Sequence, residues 1–418
     1  MRQSWSIAMA FVGLLVGAGF ATGREMMQYF VSFGTLGFAN IAVAGVVIII
    51  TGAVIMQIGS YFLADEHGHV FKNVAHPKIS WILDASVSVT MAVMGVIMLA
   101  GAGSTLEQSF GVPSALGSAI LAVIVYFMCF LDTERVSNII AAVTPLMVVA
   151  VILVFFWTVF NIPADFNMEQ ADEVARTAPS PVTPWWWAAV NQAGMTLSCA
   201  IGMSLVIGGA HTRLRSVAIG GMIGGAILTL LMILETVILF IYVDEAIDAD
   251  VPMAAVVDHI NPYAGTILSI LILIMIFNTA LGDVYAFSKR VNVAVPTPPA
   301  VNLAVILVIS WCIAQVGFTS LVEFIFPILG YMGMTIGIIF VAWRIRWSRL
   351  FKGEEERRET IRELTRIHIH PETYVDNSLE LEHELNLSKA DNEKLLHTVV
   401  EEERGNLNEV DPKEYEAD

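Results

Sequence analysis

Val16-Gly17-Ala18-Gly19-Phe20-Ala21-Thr22-Gly23-Arg24-Glu25 lies inside an apolar run that extends over about residues 5–33. As one continuous helix that run would rise roughly 43 Å at 1.5 Å per residue. The hydrocarbon core of a bilayer is only ~30 Å thick. Three glycines fall within seven residues, and two adjacent charges follow them. Each glycine lowers helix propensity by about 1 kcal/mol relative to alanine. The pattern predicts a helix broken at mid-span, with one half over residues 5–16 and the other over 23–33. Broken backbone at membrane depth survives only where it faces protein or a watery cavity. The competing reading is a packing face of small residues, Gly13 with Gly17 and Gly19 with Gly23. Thr22, Arg24 and Glu25 in the same span argue for the break, because intramembrane charge is expensive unless it serves a site.

The surrounding composition excludes a soluble globular chain. Hydrophobic residues make up 56% and charged residues 15%, and apolar runs of membrane-spanning length recur. The first run is too long for a cleaved signal peptide and has no small-residue cleavage site before polar sequence. Cys129, Cys199 and Cys312 all fall in apolar spans and read as small buried hydrophobes, not as a disulfide framework or metal site. The net charge of −17 is concentrated in residues 353–418, where 20 acidic and 8 basic residues leave −12. That acidity belongs to a hydrophilic tail and carries no information on what the membrane part binds. Nucleic acid is not an expected partner; membrane lipid is.

Nine further spans are expected, over about residues 38–63, 79–102, 112–131, 136–160, 185–210, 214–243, 263–287, 299–316 and 320–343. Trp185-Trp186-Trp187 opens the sixth span as an interfacial anchor, and its middle, Leu197 to Gly202, is small and polar. Residues 132–135 read as a tight polar turn. Residues 163–184 read as an acidic loop, and residues 251–257 as a short helix on the surface. With the first residues placed in the cytoplasm, the inner segments hold twelve Lys or Arg residues and the outer loops hold Arg176 alone. This bias sets the orientation and supports an even number of spans. Ten spans divide as five plus five (about 5–162 and 185–345), each half opening on an interrupted helix and carrying a proline in its last one, Pro145 and Pro327. An odd number per half inverts the second. Paired interruptions point to inverted-repeat carriers.

The first stretch, together with Asn278-Thr279-Ala280-Leu281-Gly282-Asp283-Val284-Tyr285, resembles the YkvI family of bacterial membrane proteins. That family is placed in the amino acid–polyamine–organocation superfamily, whose members resemble LeuT in fold. The resemblance spans residues 5–343. It implies an all-α, ten-helix, five-plus-five inverted repeat in the inner membrane, with both termini cytoplasmic and helices 1 and 6 unwound around a solute. On that basis Gly17, Ala18, Gly19, Phe20, Ala21, Thr22, Ser198, Ala200 and Gly202 are the expected substrate residues. A helix start near Gly23 would favour a carboxylate or other anion. A sodium site is implied at the carbonyls of Leu14, Gly17 and Met275 with the side chains of Asn278 and Thr279, an all-oxygen set suited to a hard cation. Asn278 stands where threonine or serine is more usual, and it equally fits an interhelical hydrogen bond.

Other charges have two readings each. Asp283 either tunes the ion site or carries a proton, or else reaches the interface near Lys289 and Arg290. Glu235 is a proton carrier or a carboxylate snorkelling outward. Asp84 reads as structural. Arg24 and Glu323 would form an outer gate. In the tail, residues 354–366 would extend as a charged helix, and a cytoplasmic partner competes with a solvated, partly disordered tail. His368-Ile369-His370 is too sparse for a metal site. The expected function is sodium-coupled uptake of a small organic solute such as an amino acid, an amine or a related metabolite. The rivals are a proton-coupled carrier using Glu235 or Asp283 and a solute sensor signalling through the tail. No enzyme signature and no resident cofactor are expected, and the sequence leaves the oligomeric state open.

Overall fold

A computed structural model describes residues 2–130, 143–164, 166–369 and 378–409. Regular structure among them is all helical. The first apolar run is divided into α1 (Arg2–Leu15), α2 (Ala18–Thr22) and α3 (Arg24–Tyr29), followed by a 3-10 turn at Val31–Phe33. Then come α4 (Leu36–Phe62), α5 (His67–Val74), α6 (Pro77–Phe110), α7 (Ser114–Met128) and α8 (Val143–Phe160). The loop helix α9 (Met168–Ala175) precedes α10 (Trp185–Gly209), α11 (Leu214–Ile241), α12 (Val243–Ala246) and α13 (Pro252–Ile260). The remaining apolar helices are α14 (Pro262–Ala294), α15 (Pro299–Ala314) and α16 (Phe318–Arg346). The tail contributes α17 (Ser348–Ile369), α18 (Ser378–Leu387) and α19 (Asn392–Glu409). The expected turn at 132–135, the start of the fifth span and His370 lie outside the described residues.

Six helices, α4, α6, α10, α11, α14 and α16, are long and apolar enough to cross a membrane; four more apolar helices are shorter. Local chemistry sets several of their ends. Asn261 accepts the Tyr263 and Ala264 N–H groups ahead of Pro262 at the first turn of α14. Gly111, at φ +68°, ends α6 by returning its N–H to Glu107.

The helices pack as two groups. α1, α4, α10 and α11 form one, while α6, α7, α14 and α15 form the other; α16 touches both through α10, α4 and α6. Close approach within the first group depends on glycine. A Cβ on Gly208 would stand 2.1 Å from the Met56 carbonyl oxygen, and one on Gly59 2.2 Å from that of Leu205. Backbones this near favour dispersion contacts that larger side chains would block.

Three expectations are corrected here. The sixth span is not broken: α10 runs without interruption through Leu197 to Gly202. Its small residues serve packing, since a Cβ on Gly194 would meet the Gly330 carbonyl oxygen at 2.4 Å. Its hydroxyls bond back within the helix, Ser198 to the Met195 carbonyl and Ser204 to the Ala200 carbonyl. Second, the short helix expected on the surface, α13, is packed inside. Pro252, Met253, Ala254, Val256 and Val257 are buried against α14, α2 and α3. Third, the described part of the tail is folded, not solvated coil. Leu381, Leu385, Leu395 and Val399 pack with Ile361 around Leu63.

The tail docks where α4 runs out of backbone partners. The last carbonyls of a helix have no intrahelical donor. Buried Arg358 donates to the carbonyls of Ser60 and Tyr61 at 2.8 Å and of Thr212 at 3.3 Å, and pairs with Glu354 at 2.8 Å. Arg362 pairs with Glu402 at 2.5 Å and Glu403 at 2.9 Å. Burial opposes the Glu402 charge, but donors from His211, Thr212 and Arg362 outweigh it and hold that carboxyl at about 2.

Candidate functional site

α1 stops at Leu15. Gly17 is extended, at φ −100° and ψ −172°, and α2 begins after it. Gly23 then adopts the left-handed conformation at φ +76° and returns its N–H to the Phe20 carbonyl at 3.0 Å. An L side chain there is strained, and a Cβ would also stand 3.0 Å from the Met253 backbone nitrogen. The glycines before it behave differently. A Cβ on Gly13 or Gly17 would meet no atom within 4 Å. These two border open space, so the Gly13/Gly17 packing face is ruled out.

That space is a cavity of about 580 Å³ at the seam between the two helix groups. Gly17, Ala18, Gly19 and Phe20 line it opposite Ser198, Ala200 and Gly202 of α10. Ala21 and Thr22, expected with them, do not. Ala21 is buried in the core, and the Thr22 hydroxyl donates to the Gly19 carbonyl at 2.9 Å. Leu14, Met275, Asn278 and Thr279, the remaining members of the expected ion set, also border the cavity.

Asp283 lines the cavity too, and no hydrogen bond or ion pair to it is found among the described residues. It does not meet Arg290, which lies 3.3 Å from Asp84 and also contacts Ser88 and His67. Burial and then the Arg290 charge push the His67 imidazole below its usual value, with Asp84 opposing. Glu235 is fully buried, its carboxyl oxygens have no hydrogen-bond partner among the described residues, and it does not border the cavity. It therefore does not snorkel outward, and it lies away from the solute space. Arg24 Nη2 is 3.5 Å from Glu323 Oε1, and Arg24 Nη1 donates to the Ala249 carbonyl at 3.3 Å.

One residue of the site escaped the sequence. Glu25 lines the cavity, and its Oε1 accepts from Gln192 Nε2 at 2.5 Å and Thr196 Oγ1 at 3.4 Å. Its signal was a second charge beside Arg24; the one-residue rotation along α3 turns the two apart. Among the described residues the cavity's charged side chains are Glu25, Asp65, Glu66 and Asp283, with His67 and without Lys or Arg. The expected anion site at Gly23 fails on both counts, because Gly23 is packed against Met253 and Leu239 and the hollow is acidic.

No protein-family profile matches the chain. It is 24% identical over 328 residues to the uncharacterized membrane protein YkvI of Bacillus subtilis (strain 168), covering 78% of this chain and 92% of that protein. The uncharacterized protein YyaD of the same organism is 18% identical over 351 residues, 83% of this chain and 99% of YyaD. Among solved structures, the chain is similar in fold to Mhp1 in its inward-facing conformation, with TM-score 0.56, 9% identity and coverage of 95% and 88% of the two chains. It is similar also to MhsT in complex with L-phenylalanine, with TM-score 0.54, 14% identity and coverage of 96% and 95%. Both are LeuT-fold transporters. These similarities are to membrane proteins and transporters, not to enzymes.

Proposed function

We propose that this chain is a secondary transporter of a small organic solute, an amino acid, amine or related metabolite, working by alternating access in a bacterial inner membrane. The observation that carries the proposal is the cavity where the first helix parts, set at the seam between two separately packed helix groups. Such a seam lets one group rock against the other around a central site. The six long and four shorter apolar helices are taken as ten spans in two inverted halves, with α1 to α3 counting as one span. The cavity runs from the break at Gly17 to the loop residues Asp65 and His67, which face the cytoplasm in this orientation. The Arg24–Glu323 pair would then close the outer side and open during the cycle.

Sodium is the proposed coupling ion, held by the Leu14, Gly17 and Met275 carbonyls with Asn278 and Thr279. Support comes from all five bordering one cavity. Proton coupling through Asp283 is the second reading, favoured by its unpaired carboxyl at the wall; Glu235 is less suited, being walled off. The test is the melting temperature of the purified full-length protein in NaCl and in KCl at fixed pH. An ion that binds only the folded state raises it by mass action. Sodium should stabilise where potassium does not, and Thr279→Ala should remove the difference. Equal melting temperatures across the salt range would contradict sodium coupling.

A further inference from the structure

Glu25 and Asp283 border the cavity with no basic side chain paired to either among the described residues, whereas Asp65, at its loop end, pairs with Lys394. Glu25 is 6% exposed. Its Oε1 has two uncharged donors, Gln192 and Thr196. Its Oε2 has no donor among the described residues and lies 3.3 Å from where a Cβ on Gly19 would stand, at the cavity wall. Asp283 borders the same space without a hydrogen-bond or ion-pair partner among the described residues. The nearby cations are engaged elsewhere: Arg24 with Glu323 and Ala249, Arg290 with Asp84, and Lys289 over the Tyr285 ring at 5.2 Å. A carboxylate removed from water without a counter-charge is costly, and a bound cation relieves that cost.

The rest of the wall suits a carbon skeleton. Met91, Met94, Met195, Met203 and Met275 line it with Phe326. Methionine is flexible and polarisable, and it adapts to varied apolar shapes. Among the described residues no group of three or more His, Cys, Asp or Glu is placed to hold a metal ion. An organic cation fits this combination better than an inorganic one.

We propose that the solute is an amphipathic organic cation, a protonated amine whose ammonium group is held by Glu25 Oε2 beside Gly19 and whose apolar body lies against the methionine wall. Asp283 extends the negative field along α14 and disfavours an anionic headgroup. Gly19 is a specificity residue because its missing side chain leaves Oε2 open. The proposal rests on the cavity being the solute site of a carrier.

The experiment uses purified full-length protein and three probes with one skeleton: 2-phenylethylamine, 2-phenylethanol and phenylacetate. Melting temperature is followed against probe concentration at fixed pH and sodium. The amine should stabilise, and the alcohol and carboxylate should not. Glu25→Gln should weaken amine binding by about tenfold or more, the scale of a lost charge-assisted hydrogen bond. Gly19→Ala should weaken it also while leaving the melting temperature of the free protein nearly unchanged, which covers the case where Glu25→Gln fails to fold. Stabilisation by phenylacetate or phenylethanol equal to that by the amine, or full amine binding in both variants, overturns the proposal. So does the absence of any stabilisation while Cys199, a cavity thiol, still reacts with a water-soluble thiol reagent. An unreactive Cys199 instead removes the carrier reading on which the proposal rests.

Discussion

The first span and α10 face each other across the cavity, and both are dotted with glycine, yet one breaks and the other does not. In the first span Gly13 and Gly17 look onto open space, and Gly23 takes a left-handed turn that glycine alone adopts readily. In α10, Gly194, Gly208 and Gly209 would each place a Cβ within 2.1–2.4 Å of neighbouring backbone. There glycine lets helices touch, and the contact holds the helix straight. The lesson is that glycine count does not decide continuity. What decides it is whether packing returns what the missing side chain gives up. Tertiary contact offsets the ~1 kcal/mol propensity loss of Gly194, Gly208 and Gly209. The break has no such return on its cavity side, and its freed backbone faces the cavity instead.

Substitution separates the two kinds of glycine, and the largest effect belongs to α10. Gly208→Ala pushes a methyl group into the Met56 carbonyl and should cost about 3 kcal/mol or prevent folding. Thermal unfolding of the purified variant measures this, and a wild-type melting temperature would break the comparison. Gly23→Ala comes next. Its positive φ should cost about 1–2 kcal/mol, with added crowding at Met253. Gly17→Ala should leave stability within about 0.5 kcal/mol, because nothing stands within 4 Å of the new methyl. If sodium binds as proposed, it should nonetheless reduce the rise in melting temperature that sodium brings, since the methyl points into the proposed ion site.

The tail provides a control with the smallest expected effect on the core. Glu402 sits at about 2 when docked against a free value of 4.5. Its contribution to docking is complete above about pH 4.5 and is lost as pH falls toward 2. Proteolysis of the tail should quicken over that window, and cleavage that is independent of pH would contradict the docking account.

Much of this was legible in the chain itself. Apolar run length marked the long helices, with boundaries shifted by a few residues where caps such as Asn261 extend α14 into its loop. Gly17 and Gly23 marked the break because they coincide with charges that a continuous lipid-facing helix would not carry. The rest depends on distant partners. The continuity of α10 rests on Gly330 and Met56, far along the chain. α13 and the tail helices look surface-like until their apolar faces meet α2, α3, α14 or Leu63. The separation of Glu25 from Arg24 depends on how α3 is rotated after the left-handed turn, and no local pattern records that.

The parted first helix and α10 enclose a space that solvent should be able to enter. Cys199 lines that space. With Cys129 and Cys312 replaced by serine, membrane-impermeant thiol reagent can be applied to vesicles from either face. The account predicts that Cys199 reacts from the cytoplasmic face and is protected from the other. A thiol that stays unmodified from both faces until the protein is denatured would mean that no such hollow exists.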